Sequence, residues 1–292
     1  MKKSGIVSVI IVNYNGLSFT RQCLESLFRF HNPDTIEVIV IDNNSSDGSQ
    51  AELPKLFPSI DFIALPENKG FGVANNAGAK NANGEFLFFV NNDTLFLEET
   101  IENLNKILLQ KNDYGIGGPK LLNEDRTFQL SFGNFPTICK EFATKRIVKN
   151  YSLKSKEEVA SDQPIEKDWI TGAALMIKRN LFELVGGFDE RYFMYFEDID
   201  LCRRVNKKGF KSLYVPSISL IHLGGKSYDK KDDNIISEYR RSQLRYYDKH
   251  NSFFQRIMLR MYIVVKFLPK LFVKSENELA MNILKSIVST HN

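Results

Sequence analysis

The sequence predicts an α/β fold in which a mostly parallel β-sheet is covered by helices on both faces. Apolar, strand-like runs alternate with helical patterns over the first ninety residues, and fully apolar strands separated by helices are typical of a doubly covered parallel sheet. Polar residues follow several of these runs at the point where each strand is expected to end. The last part of the chain is basic and has helical periodicity, which predicts a helical C-terminal extension.

Hydrophobic periodicity defines the elements of the first ninety residues. Buried strands are predicted at short runs rich in β-branched or aromatic residues, namely 6–12, 36–41, 60–65 and 86–90. Helices are predicted between them, at 17–30, between 47 and 54, and at 71–80. Asp47 or Ser49 can cap the second helix, which is expected to break at Pro54 because proline removes a helical hydrogen bond.

Polar clusters follow three of the predicted strands, at 13–16, 42–46 and 91–93. Each cluster alone is explained by turn chemistry, because Asn and Asp hydrogen-bond their own backbone in turns. The carboxyl ends of parallel strands meet at one edge of the sheet, however, and open α/β sheets bind ligands there. The joint placement therefore favours a nucleotide pocket, with Asp93 as a candidate for metal or phosphate chemistry.

Several classes of nucleotide-binding protein are disfavoured by missing motifs. No GxGxxG follows the first strand and no GxxxxGK[ST] occurs, so a dehydrogenase or ATPase is weakly supported. A sugar-nucleotide pyrophosphorylase needs a basic, Gly-rich loop after the first strand, which the run 13–16 does not supply. The Gly- and Asn-rich run 67–78 has two open explanations, namely anion binding by backbone N–H groups or close packing of a small-residue helix.

A cluster of acids lies in the second half of the chain. Glu197, Asp198 and Asp200 stand beside aromatic residues. A helix is predicted to begin near Asp198, with Leu201 and Val205 on its inner face. Acids at a helix start offset its unpaired N–H groups and dipole, so capping and a catalytic role are both open explanations.

His222 lies on a predicted strand and shares one face with Ile218 and Leu220. Such a histidine is explained either as a core residue or as a metal ligand. A site built from Asp93, His222 and diphosphate oxygens would combine hard oxygen donors with one imidazole. That combination suits manganese or magnesium.

Composition indicates a globular protein with a basic C-terminal part. The chain has 292 residues, of which 43% are hydrophobic and 25% charged, with a net charge of +4. Residues 226–274 hold twelve Lys or Arg against five Asp or Glu, which predicts an anionic partner. No nucleic-acid-binding motif accompanies this charge, so a phospholipid surface is the better candidate.

The apolar run 253–274 has cations every four to six residues, which is typical of an interfacial helix. Packing on the catalytic domain or a subunit contact is the alternative.

Cellular location is predicted from what the sequence lacks. Cys23, Cys139 and Cys202 are far apart and odd in number, which favours neither a disulfide framework nor a zinc site. The N-terminus has no signal-peptide pattern, and no apolar run approaches the ~18 residues of a spanning helix. We expect a cytoplasmic protein, peripheral on the inner face of the cell membrane.

Taken together, these motifs resemble the family 2 glycosyltransferases with the GT-A fold, particularly the rhamnosyltransferase-like branch of bacterial surface-polysaccharide synthesis. The resemblance covers about residues 6–227 and includes the run Val-Ile-Asp-Asn-Asn-Ser-Ser-Asp-Gly at 40–48. The other matching runs, in chain order, are 9–16, 67–72, 91–94, 171–173, 186–190, 196–200 and His222.

The resemblance implies roles for particular residues. Those implied to bind the nucleotide-sugar are Val12, Asn13, Asp42, Asn44, Asn68, Gly70, Asn75, Asn92 and Lys226. Asp93 would bind a divalent cation, magnesium or manganese, as the last acid of the family's DXD element, with His222 as a later ligand. Asp198 would be the catalytic base, paired with Glu197, while Trp169, Thr171 and Gly172 would lie beside the sugars. Asn91 replaces the first acid of the DXD element, which leaves fewer charges for the metal.

The implied function is inverting transfer of a sugar, with rhamnose as a candidate, from a nucleotide-diphosphate sugar to a lipid-linked or oligosaccharide acceptor. Residues 1–95 would form the nucleotide-sugar-binding half, 96–227 the acceptor and catalytic half, and 228–292 the helical extension on the anionic membrane surface. The alternative is a non-catalytic or weakly active carbohydrate-binding relative, since Asn91 weakens the metal site.

Overall fold

A ten-stranded mixed β-sheet organises the chain. The computed structural model describes residues 3–139, 163–224, 233–273 and 276–289. Within these ranges the strands are β1 Lys3–Asn13, β2 Ile36–Asp42, β3 Asp61–Ala64, β4 Gly84–Asn91, β5 Thr94–Phe96, β6 Tyr114–Leu122, β7 Phe128–Gln129, β8 Phe132–Gly133, β9 Ile165–Lys167, β10 Trp169–Ile170, β11 Ala174–Lys178 and β12 Lys211–His222. The helices are α1 Leu17–Phe30, α2 Ser49–Leu56, α3 Phe71–Asn81, α4 Thr100–Gln110, α5 Arg179–Leu184, α6 Glu197–Lys207, α7 Asp233–His250, α8 Phe253–Phe267 and α9 Asn277–Ser289.

The N-terminal half of the sheet is parallel, as predicted. Its strand order is β3-β2-β1-β4, and every pairing between these strands is parallel. The register sets Asn13 beside Asp42 and Val12 beside Asn91. The polar residues that follow three strands therefore meet at one edge of the sheet.

The second half of the sheet brings later parts of the chain to that same edge. Strand β11 is antiparallel to both β4 and β6, and β12 is parallel to β6. The start of β11 and the carboxyl end of β12 therefore lie at the edge where β4 ends. There His222 is paired with Thr94 of β5.

Both faces of the sheet are buried because alternate strand residues point to opposite sides. Val9 and Ile11 of β1 belong to a first core with α1 and α4, whereas Ile10 belongs to a second core with α3, α5 and α6. Burying both faces requires strands that are apolar at every position. This requirement explains the continuous apolar runs in the sequence.

Small residues on α3 allow this helix to lie directly on the sheet. A Cβ on Gly78 would lie 2.5 Å from Ile10 Cγ2, a separation that packing does not tolerate. The first N–H of the helix, that of Phe71, donates to the Phe193 carbonyl at 2.9 Å. Of the two explanations given for the run 67–78, close packing of a small-residue helix therefore accounts for Gly78 and Phe71.

Helix α2 differs from the predicted helix at both ends. Its N-cap residue is Gly48, with φ of 90° and no side-chain cap, although Asp47 accepts the Ser49 N–H at 3.1 Å. The helix also continues past Pro54 to Leu56. The predicted break at Pro54 is wrong, because the proline costs one hydrogen bond while Leu53 remains fully buried in the first core.

The C-terminal extension forms a third core together with residues of the 96–227 part of the chain. Helices α7, α8 and α9 bury residues such as Tyr246, Leu259 and Ile283 against Tyr192 and Phe196. Helix α8 ends at Phe267, where a 3₁₀ helix, Leu268–Phe272, begins and includes a proline. No helix in the described ranges is both long and apolar enough to cross a membrane.

Candidate active site

A buried hydrogen-bonded cluster fixes the ends of β1 and β2. Asn13 and Asp42 are both fully buried, and Asn13 Nδ2 donates to Asp42 Oδ2 at 2.7 Å. Asn13 Oδ1 accepts from Thr20 Oγ1 at 2.7 Å and from Asn92 Nδ2 at 3.3 Å. Gln50 Nε2 donates to Asp42 Oδ1 at 2.8 Å. Asn13, Asp42 and Asn92, which are implied to bind the nucleotide, are thus hydrogen-bonded to one another. These bonds hold the ends of β1 and β2 together.

The other residues of the implied nucleotide site surround this cluster. Asn68 Oδ1 accepts from Asn43 Nδ2 at 2.8 Å, and Asn44 is exposed with φ of 68°. Asn75 is buried, and its Nδ2 donates to the Phe71 carbonyl at 3.0 Å.

Three residues implied to bind the nucleotide-sugar remain, and the structure describes two of them, Val12 and Gly70. Val12 is partly buried on β1. Gly70 has φ of 88°, and a Cβ there would lie 2.3 Å from the Phe193 carbonyl oxygen, so the position requires glycine. Lys226 lies outside the described residues.

Asp93 and His222 meet at the carboxyl ends of β4 and β12. His222 Nε2 lies 3.1 Å from Asp93 Oδ1, and both side chains are largely buried. Gln129 binds the other ring nitrogen, Nδ1, through Oε1 and donates from Nε2 to the His222 carbonyl at 3.1 Å. Gln129 therefore orients the imidazole so that Nε2 faces the carboxylate.

These two residues fit the chemistry of a divalent cation. One carboxylate and one oriented imidazole are suitable ligands for manganese or magnesium. Asn91 Nδ2 lies 3.2 Å from His222 Nε2, so an amide stands where a second acid would add charge. In the described part of the chain, no group of three or more His, Cys, Asp or Glu side chains could hold a metal. Further ligands would come from other groups, such as amide or carbonyl oxygens, water or the oxygens of a bound ligand.

Asp198 is held at the same edge by the loop that leads into β11. The Asn91 N–H donates to the Ala173 carbonyl at 3.1 Å. The Gly172 N–H in turn donates to Asp198 Oδ2 at 2.8 Å, and the Ile199 N–H donates to Oδ1 at 2.7 Å. Thr171 also hydrogen-bonds to this carboxyl group through its side chain. These hydrogen bonds connect Asp198 to Asn91 at the end of β4. Asn91 lies two residues before Asp93.

Burial raises the pKa values of the two acids at the start of α6, Glu197 and Asp198. Burial raises the pKa of Asp198 above its ordinary value, although the N–H groups of Gly172 and Ile199 partly oppose the rise. Burial, and then the charge of Asp198, raise the pKa of Glu197 well above its ordinary value. Glu197 Oε2 has no hydrogen-bond partner among the described residues. Burial thus disfavours the charged form of both acids, and Glu197 Oε2 also lacks a hydrogen bond that would stabilise its charge.

The backbone before α6 is in an uncommon conformation. Tyr195 and Phe196 have φ of 69° and 67°, in the left-handed region, which costs of order 1–3 kcal/mol for each such residue. Phe196 is the N-cap residue of α6 and is packed in the third core. Packing therefore imposes the backbone turn that aims Glu197 and Asp198.

Asp200 joins α6 to the C-terminal extension. Its Oδ2 lies 2.7 Å from Arg204 Nε, and its Oδ1 lies 2.7 Å from both Lys249 Nζ and His250 Nε2. Burial opposes ionisation, but His250, Arg204 and Lys249 together hold the pKa of Asp200 below its ordinary value. Burial keeps the pKa of His250 below its ordinary value despite Asp200.

Trp169 lies on β10, which pairs with β8 and packs against α6. Its Nε1–H donates to the Asn134 carbonyl at 3.1 Å, and the indole covers Gly133 at a distance that leaves no room for a Cβ. The ring is partly exposed. The strand that carries Trp169 thus packs against the acid-bearing helix, and the role of Trp169 as a sugar platform stays a prediction.

The profile of the family described as Glycosyl transferase family 2 matches residues 8–184, which is more than half of the chain. The chain therefore belongs to this family. Among solved structures, it is similar to a mannosyltransferase from Pyrobaculum calidifontis determined with GDP-Man and Mn²⁺, with a TM-score of 0.61 and 16% identity over 97% of this chain and 86% of that one. This likeness in fold confirms the predicted GT-A architecture.

Curated relatives support the predicted branch of the family. The N-acetylglucosaminyl-diphospho-decaprenol L-rhamnosyltransferase of Mycobacterium tuberculosis is 24% identical over 87% of this chain and 88% of its own length. The rhamnosyltransferase WbbL of Escherichia coli is 26% identical over 74% of this chain and 83% of its own length. The predicted resemblance to rhamnosyltransferases is confirmed.

Sequence reasoning missed three side chains that shape the site. Gln129 orients His222, but 93 residues separate the two and no motif connects them. Thr20 lies on the first turn of α1, and Asn43 lies inside the run 40–48. Only Asn43 stood within a motif that had been recognised.

Glu197→Gln tests the electrostatic description of the acid pair. Because the pKa of Glu197 is higher in the folded state than its ordinary value of 4.5, ionising it disfavours folding as the pH rises through the folded-state value. The variant removes this cost. We expect its unfolding free energy to exceed that of the unmodified protein by on the order of 1 kcal/mol, or about 2–4 °C in Tm, at about pH 9.

At about pH 3 the gain should vanish, since Glu197 is then protonated in both states. The matched control is Glu183→Gln, an exposed acid on α5, which should show no such pH-dependent gain. Thermal unfolding measured at both pH values checks the prediction. Equal Tm values for Glu197→Gln and the unmodified protein at both pH values would contradict it.

Proposed function

We propose that this protein is an inverting glycosyltransferase that uses a nucleotide-diphosphate sugar and a divalent cation. The observation that carries the proposal is the placement of Asp198 at the sheet edge that also holds Asp93 and His222. A base and a potential leaving-group site would then lie at one edge of the sheet, and a single displacement at a sugar carbon requires both. Membership of glycosyl transferase family 2 supports the reaction class.

On the donor side, Asp93 and His222 would hold the cation, and Gln129 keeps the imidazole in position. When bound, the cation supplies charge neutralisation for the departing diphosphate. The rigid cluster around Asn13 and Asp42 would orient the nucleoside. Holding the donor in one geometry lowers the barrier because less freedom is lost in the transition state.

On the acceptor side, Asp198 would remove a proton from the acceptor hydroxyl. The hydroxyl oxygen forms its bond to the anomeric carbon while the bond from that carbon to the diphosphate oxygen breaks, and the proton goes to the Asp198 carboxylate. A raised pKa makes the carboxylate a stronger base, while the N–H groups of Gly172 and Ile199 keep it ionised and aimed. Glu197 in its neutral form would leave Asp198 as the one charged acid of the pair.

The donor sugar and acceptor are proposed from the relatives. The names of two relatives specify rhamnose transfer, and one specifies an acceptor linked to a polyprenyl diphosphate. We therefore propose rhamnose as the first donor sugar to test, a lipid-linked glycan as the acceptor, and polysaccharide synthesis at the cell surface as the role. Such an acceptor would place the enzyme in the cytoplasm, against the inner face of the membrane.

The outer face of α8 supports membrane association. Its inner face, including Leu259 and Ile263, is fully buried in the third core. The opposite side of α8 and the 3₁₀ helix that follows it expose an apolar stripe, formed by Phe253, Phe254, Ile257, Met261, Val265, Leu268 and Phe272. Exposed apolar patches of this kind mark interaction sites. Lys266 is exposed beside the stripe, and the basic segment around it favours an anionic lipid surface.

Asp198→Asn tests the proposed base. The amide can no longer accept the proton, so transfer should fall by at least about 100-fold, while nucleotide binding stays nearly unchanged. Product formation with a panel of nucleotide-sugars and calorimetric binding of the nucleotide give the two readouts. Asp34→Asn, an exposed acid outside the site, is the matched control and should remain fully active. Full activity of Asp198→Asn would remove this residue from the mechanism.

Asp93→Ala tests the proposed metal site. Loss of one of two protein ligands should shift the manganese titration of donor binding to concentrations at least about tenfold higher. Asp34→Ala serves as the control with an unchanged titration. If Asp93→Ala gives the same manganese dependence as the unmodified protein, Asp93 is not a metal ligand.

The membrane proposal is tested by substitution, because truncation after His250 would expose the third core. A triple variant, Phe254→Ser, Met261→Ser and Val265→Ser, replaces three of the seven apolar residues of the exposed stripe. Its affinity for vesicles containing phosphatidylglycerol should fall by at least about tenfold, since each buried apolar side chain contributes ~1.5–3 kcal/mol.

The matched control is Leu56→Ser, Leu109→Ser and Leu184→Ser, three exposed leucines on other helices, which should sediment with vesicles like the unmodified protein. Equal sedimentation of both triple variants would assign the stripe to a protein contact instead.

A further inference from the structure

A cleft of about 540 Å³ separates the implied nucleotide edge from the C-terminal extension. One wall contains Tyr14 and Asn68, which follow β1 and precede α3. The other wall is formed by α7 and α9, including Arg241 and Lys285. The volume is within the ~300–1,000 Å³ of small-molecule sites. None of the residues on the helical wall is part of the proposed catalytic machinery.

The helical wall carries an excess of positive charge. Arg241 Nη1 lies 2.6 Å from Glu238 Oε2, and the arginine side chain remains 48% exposed. Lys285 is exposed and forms no ion pair with any residue that the structure describes. Two cations thus face one carboxylate. An arginine guanidinium has five N–H donors, so the contact with Glu238 leaves donors for a ligand.

Two further features favour an anion in the cleft. The first turn of α7 lines it at Asn234, and the N-terminus of a long helix attracts negative charge. Ser237 also lines the cleft, and its buried hydroxyl has no hydrogen-bond partner within the described ranges. A buried hydroxyl without a partner costs free energy, so a ligand oxygen there would relieve that cost.

We propose that Arg241 and Lys285 form a subsite for a diphosphate group. A diphosphate offers several acceptor oxygens, which suit an arginine, a lysine and a hydroxyl converging from two helices. This inference rests on the proposed function for its choice of ligand, and it assigns to the C-terminal extension a direct part in substrate binding.

The diphosphate has two possible sources in the proposed reaction. Tyr14 and Asn68 border the cleft from the nucleotide side, which suits the diphosphate of the donor. The extension also bears the apolar stripe of α8, which suits the diphosphate of a lipid-linked acceptor. Both ligands present the same chemistry to Arg241 and Lys285, and separate probes distinguish them.

The test compares the double variant Arg241→Gln and Lys285→Gln with a matched double variant, Arg29→Gln and Lys208→Gln, whose side chains are exposed and do not line the cleft. Isothermal titration calorimetry in manganese buffer measures binding of two probes. The first is the set of uridine, thymidine and guanosine diphosphates, and the second is geranyl diphosphate. Circular dichroism and thermal unfolding establish that both variants fold.

The subsite predicts that the cleft variant loses at least about tenfold in affinity for one probe class, while the matched variant stays within about twofold of the unmodified protein. Loss confined to the nucleoside diphosphates identifies the donor as the source, and loss confined to geranyl diphosphate identifies the acceptor. Unchanged affinities in the cleft variant, or no measurable binding of either probe to the unmodified protein, would overturn the proposal.

Binding of these probes does not require turnover, so the two hypotheses fail separately. If no nucleotide-sugar is turned over but diphosphate binding still depends on Arg241 and Lys285, the proposed function is wrong and the subsite stands. If transfer proceeds normally and the cleft variant binds both probes like the unmodified protein, the subsite is wrong and the function stands.

Discussion

The arrangement of the site depends on the buried carboxylate of Asp200. This residue is fully buried, and an ionised group in that position is tolerated only when it is paired. Arg204 supplies one partner from within α6, whereas Lys249 and His250 come from the end of α7. Helices α6 and α7 must therefore dock in one register. That docking fixes the acid pair at the start of α6 and one wall of the cleft at the same time.

Three neighbouring acids on α6 have different environments, which agree with the different tasks that the proposed function gives them. Asp200 is surrounded by cations and stays ionised as a structural group. Glu197 lacks a partner for one oxygen and has a raised pKa. Asp198 lies between these extremes, because backbone N–H groups stabilise its charge while burial raises its pKa. Environments that push the pKa values of adjacent acids apart are how proteins separate acid and base roles.

Local patterns predicted the parts of the structure that depend on local sequence. Strands β1, β2 and β4 follow from apolar runs, and the register of Asn13 beside Asp42 follows from parallel pairing. The position of Gln129 behind His222 depends on the pairing of β7 with β6, which no local pattern encodes. The left-handed backbone at Phe196 depends on packing in the third core.

In the C-terminal extension, too, local sequence patterns predicted only part of the structure. Its apolar residues and cations predicted a helix at an interface, and α8 does expose such a face. Periodicity could not reveal that the opposite face is buried in a core that also contains Tyr192 and Phe196, because that core joins segments far apart in the chain. The open alternatives of membrane contact and internal packing are thus compatible, since they use opposite faces of one helix.

In the proposed mechanism Asp198 acts as the base of a single displacement at the sugar carbon. The anomeric configuration of the product, determined by NMR after transfer from a nucleotide-sugar of known configuration, tests this mechanism. We expect the configuration at the anomeric carbon to be inverted in the product. Retention of configuration would contradict it, because a single attack opposite the leaving diphosphate cannot give that product.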